Sequence, residues 1–62
     1  MGGSVRYKIG DTITYRPFGG GTRTVVVVDK CDDIKNGYPG FDGDNDEGHW
    51  WGYDDQIVRV ES

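Results

Sequence analysis

Apolar and polar positions alternate from Val5 to Arg16, with one break. Val5, Tyr7 and Ile9 are separated by Arg6 and Lys8, and after a Gly10-Asp11 break Ile13 and Tyr15 are separated by Thr12, Thr14 and Arg16. A period of two belongs to a strand with one face buried. Pro17 to Thr22, with Gly19, Gly20 and Gly21 in a row, cannot continue a ladder and predicts a hairpin loop. Arg23-Thr24 then opens Val25 to Asp29, whose unbroken valines predict a central strand covered on both faces. Cys31 to Lys35 is mostly charged and runs into Asn36-Gly37, a turn signal. Tyr38 to Asp42 predicts a short strand, because Pro39 fits only at an edge or a bulge. Gly43 to Gly48 is acidic turn material, and His49 to Tyr53 is an aromatic strand. Asp54-Asp55-Gln56 suits one 3₁₀ turn capped by Asp54, and Ile57 to Glu61 closes the chain with Val58 and Val60 alternating against Ile57 and Arg59.

Composition agrees with this pattern. Val and Ile number 11 and the aromatics 8, while Leu and Ala, the strongest apolar helix formers, are absent. A chain of 62 residues has material for one domain and buries only about 60% of the surface its unfolded form exposes. Residues 1–4 read as an initiator with a flexible leader or a cloning scar, and 5–62 as a single domain. Five short strands joined by turns leave two sheet edges to protect, and closure removes them. The expected class is therefore all-β, a small five-stranded SH3-like barrel with one 3₁₀ turn before the last strand.

Several segments also carry a likeness. Gly10-Asp11 before Ile13-Thr14-Tyr15-Arg16-Pro17, Asp33-Ile34-Lys35-Asn36-Gly37, Pro39-Gly40-Phe41-Asp42-Gly43 and Trp51-Gly52-Tyr53-Asp54-Asp55-Gln56-Ile57 together resemble small uncharacterised proteins of actinobacteria and their phages. The likeness runs from about Ile9 to Val60. It implies an origin and an SH3-like fold, and it brings no site residue with it.

Charge narrows the partner. Residues 1–28 carry four basic and one acidic side chain, and residues 29–62 three basic and ten acidic, for a net charge of −4. Nucleic-acid binders neutralise phosphates with a basic footprint, so that function rests here on Arg6, Lys8, Arg16 and Arg23 and ranks second. The longest apolar run is Val25 to Val28, against the ~20 residues of a membrane span, so no membrane association is expected. One cysteine, Cys31, excludes an internal disulfide and favours the cytoplasm.

Candidate chemistry is sparse. Asp42 to Gly48 sets carboxylates at alternate positions, as calcium loops do, yet Glu47 stands where an EF-hand needs glycine and Tyr53 where it needs glutamate. Solvated acidic turn is the simpler reading. Cys31 and His49 lack the orienting group and oxyanion site of a thiol dyad and read as a buried thiol and a strand-edge imidazole. A zinc set is not present in two residues, serines occur only at 4 and 62, and Gly19 to Arg23 lacks a phosphate-loop ending. No enzyme, metal or cofactor is expected. The aromatics are another matter. Tyr15, Phe41, Trp50, Trp51 and Tyr53 predict a ligand-binding patch with Asp54 and Asp55 as an acidic rim, suited to a basic protein or peptide partner. Neighbours on a strand face opposite ways, so Trp50 and Trp51 cannot both be core; one faces out as a contact residue, and the sequence does not say which. A non-catalytic protein-binding module follows, with a nucleic-acid module or a structural, oligomerising protein as the rivals, in a chain that is monomeric or weakly self-associating.

Overall fold

The structure, a computed structural model, describes residues 6–61; the expected leader at 1–4 lies outside them. Five antiparallel strands form one sheet: β1 (Thr12–Tyr15), β2 (Arg23–Lys35), β3 (Tyr38–Asn45), β4 (Gly48–Tyr53) and β5 (Ile57–Glu61), with a 3₁₀ turn at Asp54–Gln56 before the last. The order across the sheet is β4-β3-β2-β1-β5. The all-β class and the 3₁₀ turn are as the sequence predicts. Closure is not: β4 and β5 are the two edges and are not paired with each other, so the sheet is bent but open.

Bulges do the bending. In β2, Val27 faces Gly43 and Asp29 faces Asp42, which leaves Val28 as an extra residue. An inserted residue kinks the strand and increases its twist. A second irregularity sets Cys31 against Gly40 but Lys35 against Tyr38. Pro39 lies opposite that slack stretch and has no partner in β4, whose pairing with β3 begins at Gly40 and Tyr53. Its missing N–H therefore costs no ladder bond, although β3 is an interior strand and, at eight residues, not the short one expected. The Asn36-Gly37 signal is realised as the two-residue turn between β2 and β3, both residues at positive φ, with Asp33 accepting the Gly37 N–H at 2.8 Å.

The bulges also revise the strands read from the sequence. β2 continues well past Asp29 to Lys35, and its valines alternate, Val25 and Val27 buried and Val26 and Val28 exposed, so it is covered on one face only. In β5, Tyr15 pairs with Ile57 and Thr14 with Arg59, which skips Val58. That skip turns Ile57 and Val60 to the same inner side and exposes Val58, breaking the simple alternation. Residues 6–9 form no strand, yet Tyr7 is buried. A turn holds this segment: Asp11 N–H reaches the Lys8 carbonyl at 3.0 Å, while the Lys8 N–H and ammonium both reach the Asp11 carboxylate at 3.1 Å. Those bonds from Lys8 hold the Asp11 carboxyl below the ordinary carboxylate range.

The inner face carries the core: Tyr7, Ile13, Tyr15, Val25, Val27, Phe41 and Ile57, with Trp50 and Val60 packed against it. Phe41 sits at its centre, edge-on to Tyr15 at 5.0 Å and to Tyr7 at 6.0 Å between ring centroids. Burial pushes the Tyr7 phenol up from its ordinary value, reinforced by the hydrogen bond that it donates to Asp54. Asp54 is thus taken up by Tyr7. The 3₁₀ turn is tied instead by Gln56, which accepts from Tyr53 N–H at 2.8 Å and donates to the Arg16 carbonyl at 2.6 Å.

Candidate functional site

Strand periodicity sends alternate residues of β4 to opposite faces, and the register settles which. Trp50 pairs with Gly43 and Gly52 with Phe41 on the inner face, while Trp51 pairs with Asp42 and Tyr53 with Gly40 on the outer one. Trp51 is accordingly exposed (37%), and Trp50 is half-buried against the core with its indole N–H donated to Asn45 at 3.0 Å. One tryptophan in and one out is what strand alternation requires, and the register decides that Trp51 is the outward one.

Two other members of the expected patch are not on the surface. Tyr15 and Phe41 are 1% and 0% exposed and fill the core, because they lie on the inward-facing positions of β1 and β3. In their place stand two rings. Phe18, in the β1–β2 loop, is 73% exposed, and Tyr38, at the start of β3, is 57% exposed. Phe18 lies 6.1 Å from Trp51 and 5.8 Å from Tyr53, Trp51 lies 5.4 Å from Tyr53, and Tyr53 lies 5.7 Å from Tyr38. The outer patch is therefore Phe18, Trp51, Tyr53 and Tyr38. Phe18 left no periodic trace, since a loop residue belongs to no strand pattern; an unsheltered phenylalanine beside Pro17 and a glycine run was the available signal.

The rim is of mixed charge, where the sequence suggested an acidic one. Lys35 holds its ammonium 5.1 Å from the Trp51 ring, and the Arg23 guanidinium lies 3.7 Å from the centre of the Trp50 ring. Arg23 also donates to the Tyr15 hydroxyl at 3.3 Å. Asp55 is exposed, whereas Asp54 is engaged with Tyr7. Next to Trp51 on the outer face, His49 is clamped between Asp44, through Nδ1, and Asp42, 3.5 Å from Nε2. The Asp44 hydrogen bond, with both carboxylates adding to it, raises the imidazole above its ordinary value.

The acidic segment has a structural use. β3 runs on through Asn45, so only Asp46-Glu47 forms the turn, and the Asn45 side-chain oxygen accepts from Glu47 N–H, Gly48 N–H and the Trp50 indole at 2.8, 3.1 and 3.0 Å. Among the described residues there is no group of three or more His, Cys, Asp or Glu placed to hold a metal ion. Cys31 is exposed and not the buried thiol expected, in the stretch of β2 beyond Val27 that is exposed from Val28 to Asp33. No helix among the described residues is long and apolar enough to cross a membrane.

Between the Pro17–Gly20 loop and the open edge of β4 lies a groove of about 380 Å³, walled by Phe18, Arg23, His49 and both tryptophans over the buried Tyr15. Comparison of the chain with protein-family models, curated proteins and solved structures returns no match.

Proposed function

We propose that the chain is a non-catalytic binding module that holds a protein or peptide segment on its outer aromatic patch. The observation that carries this reading is Phe18: a phenylalanine exposed on a loop, tilted against Trp51 and edge-on to Tyr53, in a molecule whose core is already filled by Tyr15 and Phe41. Large aromatic side chains are prominent among the residues that anchor protein contacts, and Trp51, Tyr53 and Tyr38 add a polar tip to the apolar body. Four such rings in one continuous row, flanked by the exposed Asp55 and by Lys35, offer both the apolar anchor and the charge that orients a partner.

The bent sheet with a 3₁₀ turn before its last strand supports an SH3-like architecture, the sequence likeness supports an actinobacterial or phage setting, and the single cysteine supports the cytoplasm. The nucleic-acid alternative is the weaker reading, because the net charge is −4 and one of its four cations, Lys8, is paired with Asp11. No cofactor enters this reading.

Selection of random dodecapeptides on the native chain tests it. Enriched peptides are expected to lose at least tenfold in affinity on Trp51→Ala, which is about 1.4 kcal/mol, while Val58→Ala, on the far edge strand, leaves affinity unchanged. Melting temperature should fall little in Trp51→Ala, because the ring contributes to the surface and not the core. Peptides indifferent to Trp51, DNA binding that weakens steeply with salt, or a mass that rises with concentration would each overturn it.

A further inference from the structure

We infer that the groove between the Pro17–Gly20 loop and β4 receives a carboxylate of the partner, with Arg23 as its receptor and Phe18 and Trp51 as the seat for the apolar group beside it. This rests on the aromatic patch being the partner surface, and it names what the partner must present there.

Arg23 is half-buried, and its guanidinium sits over the Trp50 ring, 3.7 Å from the ring centre. Five N–H donors are available on a guanidinium, and the Tyr15 hydroxyl, 3.3 Å from Nη1, takes one of them. The chain has eleven acidic side chains, yet among the described residues none is paired with Arg23. Of the groove's other ionisable walls, His49 is itself taken up by Asp42 and Asp44. An arginine held in place with N–H groups to spare is the group best suited to donate paired hydrogen bonds to a carboxylate, and holding it fixed in advance lowers the ordering cost of binding. Lys35 over Trp51 sets a second cation at this part of the surface. A local positive seat in a chain of net charge −4 favours a carboxylate carried on an apolar segment, which the rings can hold, over a diffuse polyanion, which the rest of the molecule repels. Phe18 and Trp51, 6.1 Å apart on the same groove, supply that seat.

N-acetylphenylalanine and its carboxamide differ only in the carboxylate and serve as probes. Titrated against the ¹⁵N-labelled chain, the acid is expected to shift the Trp50 and Trp51 indole N–H signals and the Arg23 Nε–H signal saturably, with an apparent Kd at least tenfold below that of the amide. Arg23→Gln should erase the difference. If that variant fails to give a folded spectrum, Arg23→Lys carries the comparison, since an ammonium keeps the charge and loses the paired geometry; most of the preference should vanish there too. Equal binding of acid and amide would overturn the carboxylate receptor while leaving the aromatic seat standing. Failure of both probes to move these signals at millimolar concentration, or an undiminished preference in Arg23→Gln, would overturn it as well.

Discussion

Phe41→Ala is expected to cost about 3–5 kcal/mol and to leave the chain largely unfolded in buffer at room temperature. Phe41 is fully enclosed, and its ring is the one that both Tyr7 and Tyr15 meet edge-on. Removing it leaves a cavity bordered by strands that cannot collapse inward, because β3 is pinned between β2 and β4 on both sides. A domain of 62 residues has roughly 3–9 kcal/mol of total stability to draw on, so the loss takes most or all of it. Urea unfolding followed by tryptophan fluorescence measures it. A midpoint close to that of the native chain would mean that Phe41 is not the centre of the core.

Gly40→Ala should be nearly as damaging for the opposite reason. A methyl group built at Gly40 would lie 2.3 Å from the Gly52 carbonyl oxygen and 2.4 Å from a methyl of Ile34. The carbonyl belongs to the backbone of β4 and cannot rotate away, so β3 and β4 must separate where their ladder begins. Overpacking of this kind costs about 1–3 kcal/mol, and contact with backbone places Gly40 at the upper end. Gly37→Ala makes the control: nothing lies within 4 Å of the added methyl there, and the cost is the strain of a residue at φ +80 alone. Both substitutions are read by the same urea titration, with Gly40→Ala expected to shift the midpoint further. A reversed order would contradict the close approach of β3 to β4.

The elements were legible in the sequence because turns carry their own chemistry. Asn36-Gly37, the 19–21 glycine run, the Gly10-Asp11 break and the Asp54–Gln56 turn each fall where residue type alone puts them. What the sequence hid was phase. A bulge has no residue signature, so Val58 reads as an ordinary step of a period of two, the valine run reads as a strand covered on both faces, and β2 reads as ending at its kink. The same limit misplaced Tyr15 and Phe41. Aromatic character says that a ring wants cover, and only the register says whether the core or a partner provides it. One clue was on hand for Phe41: it lies between Gly40 and Gly43, and its cross-strand partner is Gly52, where an added methyl would touch the Phe41 ring at 2.9 Å. Glycines around an aromatic on adjoining strands mark a ring that needs their space. Phe18 and the two cations against the tryptophans required the folded chain, since loop placement and contacts between β2 and β4 are not periodic properties.

The account turns on two aromatic sets, one enclosed and one facing water, and photochemically induced dynamic nuclear polarisation separates them in a single spectrum, since only rings that a dissolved dye can touch are enhanced. Tyr38 and Trp51 are expected to give enhanced signals, and Tyr7 and Tyr15 none. A polarised Tyr15 beside a silent Trp51 would contradict the assignment of faces on which the proposed partner surface is built.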